Sequence, residues 1–285
     1  MAETNELHAE QVAFWNGPGA ERWVANQTRM DATLAEVLQA AVAHAAPHEG
    51  ESVLDIGCGC GATTLALAAK VGPSGRAIGL DVSAPMLEVA RRRSTGTANV
   101  AWIRADAATH AFDPASVDLL FSRFGVMFFG DPAAAFANLR RALRPNGRIM
   151  FACWRPFPEN PWMRVPLHAA YAHVPPLPKL GPEDPGPFSF ADPERVTRIL
   201  TQAGFAEPRF TKRDFAMDLA NGEGLDAAVR QATGFGPASR AMEDQPEAAR
   251  DAAIDAIRTA LAPYAKSNGQ VALPAAIWLV DSAPA

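Results

Sequence analysis

The chain has 285 residues, a net charge of −5 and 48% hydrophobic content, enough for one domain with a sizeable core. Its acidic balance, with a pI of 5.7, offers nothing to a polyanion, and no apolar run reaches the ~20 residues of a membrane helix, so neither a nucleic-acid nor a membrane partner is expected. Met1 to Glu6 lack the basic and apolar parts of a secretory signal, and the odd count of cysteines (Cys58, Cys60 and Cys153) argues against a disulfide framework, so a cytoplasmic protein with no bound metal is expected.

Residues 1–50 read as an N-terminal helical cap. Val12, Phe14 and Trp15 precede a break at Asn16-Gly17-Pro18-Gly19, Trp23 follows it, and a second helix is predicted from Asp31 to Ala45 with Leu34, Val37, Leu38 and Ala41 on one face. From Glu51 to Trp154 strands alternate with helices at the spacing of parallel βαβ units. Strand 1 is expected to end at Asp55, strand 2 to run from Arg76 to Asp81, strand 3 from Val100 to Arg104, strand 4 from Val117 to Phe121 and strand 5 from Arg148 to Trp154. Ser83 and Asp131 have the chemistry of helix N-caps, each closely followed by a proline suited to the first turn, and Arg144-Pro145-Asn146-Gly147 reads as a turn.

Residues 155–190 are dense in proline and read as a cover segment with a short helix between Met163 and His173. A helix is expected after Asp192-Pro193, strand 6 from Arg209 to Asp218, and helices across 223–266. The last strand, within Val271 to Val280, is expected to begin regular pairing after Pro274, which lacks a backbone donor.

The chemistry gathers around Val53-Leu54-Asp55-Ile56-Gly57-Cys58-Gly59-Cys60-Gly61-Ala62: a buried strand, a glycine loop and a helix start. Unpaired N–H groups at such a helix start favour a carboxylate or phosphate. Two ligand classes use a loop of this kind. Gly57-x-Gly59-x-x-Ala62, with Asp81 roughly 20 residues on, fits the dinucleotide fingerprint. The fuller pattern is Asp55-x-Gly57-x-Gly59-x-Gly61, in which an acid stands ahead of the glycines. That acid repels a pyrophosphate and attracts the ammonium and sulfonium of S-adenosylmethionine. Asp55, Gly57, Gly59 and Gly61 match the first motif of the class I S-adenosylmethionine-dependent methyltransferases, which the chain resembles strongly from Glu51 to Trp154 and more loosely after 192. Within them it is similar to the small-molecule group that includes the ubiquinone and menaquinone biosynthesis methyltransferases.

The resemblance implies a Rossmann-like α/β fold: a doubly wound seven-stranded sheet whose final antiparallel strand inserts beside strand 5 and pairs with strand 6. Residues 51–285 then form the methyltransferase domain, with the cover segment at 155–190 and a helical insertion at 219–270. Asp81 is expected to accept the ribose hydroxyls and Asp106 the adenine amino group with the Ala107 backbone, while Val82 and Met86 flank the ring. Asp55 with Gly57, Cys58, Gly59 and Gly61 holds the methionine end. Trp15, Asn16 and Trp23 lie near the cofactor, and Arg123 holds its carboxylate or an acidic substrate. Phe124, Phe128, Trp154 and Trp162 are candidates for the acceptor wall. Methyl transfer needs no obligatory base; if a hydroxyl is methylated, His168 or His173 can take its proton. The expected activity is methyl transfer to oxygen or carbon of a small, partly apolar molecule. The alternatives are an NAD(P)-dependent oxidoreductase and a non-catalytic cofactor-binding protein on the same fold.

Overall fold

The computed structural model describes residues 2–179, 181 and 183–285. The helices α1 (Ala2–Asn16), α2 (Pro18–Ala25), α3 (Gln27–Thr33) and α4 (Ala35–Ala45) precede the first strand. The alternating part follows as β1 (Ser52–Ile56), α5 (Ala62–Val71), β2 (Arg76–Asp81), α6 (Ala84–Arg93), β3 (Val100–Arg104), β4 (Val117–Arg123), α7 (Pro132–Ala142) and β5 (Leu143–Trp154). The remainder comprises α8 (Pro161–Ala170), α9 (Pro193–Gln202), β6 (Arg209–Asp218), α10 (Leu225–Gly234), α11 (Pro237–Met242), α12 (Glu247–Leu261) and β7 (Ala272–Ser282).

The strands form one seven-stranded sheet in the order β3-β2-β1-β4-β5-β7-β6, parallel through β5, with β7 antiparallel to both neighbours. This is the Rossmann-like arrangement with an inserted last strand. The order reverses between β1 and β4, and a crevice opens there at the carboxyl ends of the strands. Phe121, Phe136 and Phe151 are fully buried, each contributing roughly 2–3 kcal/mol of apolar burial to the core beside that crevice.

Several boundaries differ from expectation, each for a local reason. The helix read from Asp31 to Ala45 is two: Leu34, between α3 and α4, departs from helical dihedrals at φ −95° and ψ 8°, while its N–H still donates to the Met30 carbonyl and its carbonyl accepts from the Leu38 N–H. β1 continues through Ile56, and β4 through Arg123, because β5 pairs Ser122 with Phe151 and Arg123 with Ala152. The turn at 144–147 is absorbed into β5. Val117 pairs Leu143 and Leu119 pairs Arg148, so these four residues bulge out of one continuous strand. The short helix of the cover segment lies earlier than read, at Pro161–Ala170, and carries Pro166 within it.

β7 starts pairing with β6 at Ala272, and Pro274 sits within that ladder opposite Ala216. The reason is directional. Ala276 turns its backbone N–H and C=O to Asn160 and Arg155, away from β6; Pro274, two residues earlier, faces the same side, where β5 pairs only from Ile277 onward. The missing donor therefore costs no ladder bond.

Asn160 ties this edge to the cavity described below. Its side chain is fully buried, donates to the carbonyls of Arg155 (3.0 Å) and Ala276 (3.2 Å) and accepts from the Ala276 N–H (2.9 Å). It also stands immediately before α8, whose other side packs on α11 and α12. Asn160→Ala strips these buried backbone groups of their partners and is expected to lower the unfolding free energy by about 2 kcal/mol or more in urea titration. Asn160→Asp, which keeps the acceptor, is expected to cost less at low pH than at neutral pH.

Candidate active site

Asp55 ends fully buried, with Oδ2 accepting from the hydroxyls of Thr63 (2.5 Å) and Thr64 (2.6 Å) in the first turn of α5. Its Oδ1 is buried without a partner among the described residues. Burial pushes the carboxyl up to about 6; the two threonine hydroxyls and the charge of Arg123 pull against that rise, and Asp81 adds to it. Asp55 is not on the cavity wall. It fixes the strand-to-helix turn from beneath and presents charge through it.

The loop above is tight. A Cβ on Gly57, at φ +66°, would lie 2.7 Å from the Cα of Gly125, so β1 and β4 approach each other backbone to backbone where the sheet divides. Gly61 also matches the motif, yet its work is packing: a Cβ there would lie 2.5 Å from the ring of Trp102. Asp81 clamps the next layer, accepting from the N–H groups of Gly59 and Ser83, each at 2.8 Å. Burial raises its pKa, opposed by the backbone donors of Ser83, Gly59 and Val82. A carboxylate has about four acceptor sites, and the bonds from Gly59 and Ser83 do not fill them, which leaves acceptor capacity for a ligand hydroxyl. Ser83 caps α6 by accepting from the Met86 N–H, which sets Val82 and Met86 at the cavity wall. Asp106 accepts from the Ala108 N–H (2.9 Å) and the Thr109 hydroxyl (3.0 Å), and it lines the cavity beside Ala105 and Ala107.

These groups surround a cavity of about 280 Å³. Ile56, Asp81, Arg123 and Trp154, at the carboxyl ends of four parallel strands, and Asp106 just beyond a fifth, all face it. Arg123 Nη1 is buried with no partner among the described residues; burial lowers its pKa, while the charges of Asp31 and Asp55 oppose that shift. Phe124 then takes φ +69°, a left-handed conformation rare for an aromatic residue and worth about 1–3 kcal/mol of strain. Its N–H donates to the Ala152 carbonyl, and its ring stacks on Trp154 at 4.1 Å and 11°. Trp162 lies 5.2 Å from Trp154, and the three rings form a shelf on the wall.

The roof comes from distant chain. Asn16 bonds the Val82 carbonyl and the Ala84 N–H, docking the end of α1 on the β2–α6 turn. Trp15 meets Phe128 edge to face at 5.1 Å, and Trp23 meets Phe235, at the end of α10, at 5.0 Å. Thus the cap and the 219–270 excursion close over one cavity.

Of the residues singled out in the sequence, Trp15, Trp23, Gly57, Cys58, Gly59, Asp81, Val82, Met86, Asp106, Ala107, Arg123, Phe124, Phe128, Trp154 and Trp162 line the cavity. Asp55, Gly61, His168 and His173 do not. His168 faces Phe157 and Tyr171 on the far side of α8, and His173 is exposed. Sequence reasoning missed Asp31, Phe235 and Arg240 on the wall. The only local signal was the Phe235-Gly236-Pro237 break, where an aromatic precedes a helix stop.

The two orphaned atoms test the cofactor. Asp55 Oδ1 is an unbalanced buried acceptor and Arg123 Nη1 an unbalanced buried donor, so the methionine end of S-adenosylmethionine, an ammonium and sulfonium beside a carboxylate, matches both in sign. Fold and site together define a nucleoside-binding enzyme of the doubly wound α/β class. The methyltransferase domain model matches residues 53–147. Nocamycin O-methyltransferase of Saccharothrix syringae is 31% identical over 195 residues, covering 63% of this chain and 68% of that protein. Demethylmenaquinone methyltransferase of Lactiplantibacillus plantarum is 30% identical over 202 residues, covering 66% and 81%. The structure of the YcgJ protein of Bacillus subtilis superposes with a TM-score of 0.55 at 18% identity, over 87% of this chain and 97% of that one, a likeness of fold. The chain belongs to the S-adenosylmethionine-dependent methyltransferases, and S-adenosylmethionine is its cofactor. The comparisons lend the oxidoreductase reading no support. No helix of the described residues is long and apolar enough to cross a membrane.

The elevated Asp55 carboxyl predicts a pH effect of definite sign. Unfolded, it ionises near 3.8; folded, near 6, so its contribution is fully present below the lower value and lost as pH rises through the upper. Asp55→Asn is therefore expected to gain stability relative to the parent between pH 4 and pH 7, by on the order of 3 kcal/mol. Paired urea titrations check this, and a difference independent of pH would place the carboxyl in a solvated setting.

Proposed function

We propose that this methyltransferase transfers the methyl group to oxygen or carbon of a small, partly apolar acceptor. The observation that carries the reading is one cavity with two unlike ends: carboxylates and glycine backbone at the mouth of β1–β3, and the Phe124, Trp154 and Trp162 shelf beyond β4 and β5. Two of the relatives, named for nocamycin and demethylmenaquinone, support a small-molecule acceptor.

In this reading Asp81 accepts the ribose hydroxyls, Asp106 with Ala107 receives the adenine edge, and Val82 and Met86 flank the ring. Arg123 takes the cofactor carboxylate. Asp55 acts from behind the loop, its buried charge favouring the ammonium. When bound, the cofactor supplies a methyl group on a sulfonium, whose displacement carries its own driving force. The chain's task is then to align the acceptor and keep water out, which Phe124, Phe128, Trp154 and Trp162 do by filling the wall with apolar surface. Residues 1–50 serve as the cap over the cofactor, and 155–190 with 219–270 as the cover of the acceptor end, within a domain spanning 51–285. The reading includes a cytoplasmic enzyme without a nucleic-acid or membrane partner, consistent with three free cysteines.

Calorimetry with S-adenosylhomocysteine, followed by labelled methyl transfer to a panel of phenols, quinols and small acids, tests the activity. Tight binding with no methylated product from any acceptor class would leave a binding protein on this fold. Asp81→Ala is expected to weaken S-adenosylhomocysteine by more than about 1 kcal/mol. Arg123→Met is expected to weaken S-adenosylhomocysteine at least about tenfold while leaving 5′-methylthioadenosine, which lacks the amino-acid tail, within about twofold. Equal losses for both ligands would place Arg123 away from the carboxylate.

A further inference from the structure

Behind the aromatic shelf lies a second, much smaller space. It measures about 10 Å³ and is bounded by Trp162, Met163 and Pro166 of α8, by Leu219, and by Gln231, Phe235 and Pro237 of the excursion. Trp162, Met163, Phe235, Gly236 and Pro237 are also walls of the main cavity, so the chamber adjoins its acceptor end. Two of its lining residues each carry a buried polar atom that stands out. Trp162 Nε1 is a buried donor and Gln231 Oε1 a buried acceptor, and neither has a partner among the described residues. Both residues are more than nine-tenths buried, at 6% and 3% exposure. The other end of the Gln231 amide is engaged, with Nε2 donating to the Met30 sulfur at 2.9 Å, so Oε1 is the polar atom of this lining side chain that is left to answer.

Each unpaired buried group costs about 1–3 kcal/mol, so a donor on α8 and an acceptor on α10 that line one chamber together favour a ligand group able to pair with both. A space of this size holds one oxygen atom. The occupant must accept one hydrogen bond and donate another. A carbonyl or ether answers Trp162 and leaves Gln231 unpaired; a carboxylate sets a charge against the Gln231 oxygen. A hydroxyl answers both. The main cavity that adjoins the chamber is walled by the stacked Phe124 and Trp154 rings and by Met163, a flat apolar surface.

We propose that this chamber is a hydroxyl-recognition subsite for the methyl acceptor: the acceptor is a planar, largely apolar molecule carrying a hydroxyl that accepts from Trp162 Nε1–H and donates to Gln231 Oε1. The inference rests on the methyltransferase reading above and names the class of molecule that site takes. Trp162 and Gln231 are then specificity-determining residues, separate from the groups that hold the cofactor. A site built to pair a hydroxyl discriminates steeply against the analogue without it, because removal leaves both protein atoms unpaired.

The test uses protein loaded with S-adenosylhomocysteine, titrated by calorimetry with the isomers 1-naphthol and 2-naphthol and with naphthalene, their hydroxyl-free parent. At least one isomer is expected to bind about tenfold or more tightly than that parent. That preference should fall to within about threefold in Trp162→Phe, which keeps the ring and deletes the donor, and equally in Gln231→Leu. An unchanged S-adenosylhomocysteine affinity in both variants shows that they are folded. If no isomer is preferred over its parent by the unmutated protein, the chamber holds only water and the proposal is wrong. It is equally wrong if the preference survives in either variant, since the hydroxyl then sits elsewhere. Failure of S-adenosylhomocysteine to bind at all removes the cofactor reading beneath it, and so marks a different failure.

Discussion

The site depends on a carboxylate kept where water cannot reach it. Asp55 is fully buried under the start of α5, with one oxygen answered by two threonine hydroxyls and the other by nothing among the described residues. Such a group is costly in isolation, and proteins tolerate the cost where an arriving charge offsets it. The residues around it divide by sign. Asp81 adds negative charge at the mouth of β2, while Arg123, also short of a partner, supplies a cation on the opposite lip. A neutral or wholly anionic ligand relieves only part of this arrangement. A zwitterionic tail with a sulfonium relieves both parts, which is why a pattern of one acid ahead of three glycines separates this ligand from a pyrophosphate.

Rigidity around that charge comes from backbone contact. Gly57 and Gly125 approach so closely that neither admits a Cβ, and the Ser122 hydroxyl locks the pair by donating to the Ile56 carbonyl (2.8 Å) and accepting from the Gly125 N–H (3.1 Å). The strained φ at Phe124 follows directly from this locking, since the chain must leave β4 and turn its ring onto Trp154 within one residue. Strain at a wall residue and, next to it in sequence, an arginine whose Nη1 has no partner among the described residues belong to one device: the same turn that brings Arg123 to the cavity swings the aromatic shelf onto its wall.

What was legible in the sequence is what local chemistry encodes. Asp81, Ser83 and Met86 were readable because a strand end, an N-cap and a first-turn proline are fixed by neighbours in sequence, and the same holds for β6 and the helix after Asp192. Placement of β7 between β5 and β6 came from the family likeness; its composition alone favoured an interrupted strand, since nothing local to Pro274 reveals which side of the ladder it faces. The break at Leu34 left no local mark, since helical hydrogen bonds to Met30 and from Leu38 span it. Asp31, Phe235 and Gln231 escaped notice because what brings them to a cavity is tertiary. Each reaches the cavity or its side chamber from segments whose helical pattern says only that one face is apolar.

That division has a functional logic. The half of the cavity proposed to meet the cofactor is built from consecutive βα units, where spacing along the chain fixes geometry. The half proposed to meet the acceptor draws on segments far apart in sequence, the 155–190 cover and the 219–270 excursion, with the N-terminal helices closing over the other half. Ring contacts join them: Trp23 of the N-terminal helices meets Phe235 of the excursion, and Trp162 of the cover packs on Trp154 at the end of β5. Such contacts are non-directional compared with the Asp81 clamp, so exchange of a side chain in one segment reshapes the pocket without disturbing the cofactor end. The exceptions are Trp162 Nε1 and Gln231 Oε1, directional atoms placed in that apolar half, and directional atoms are where a wall made mostly of hydrocarbon can tell one acceptor from another.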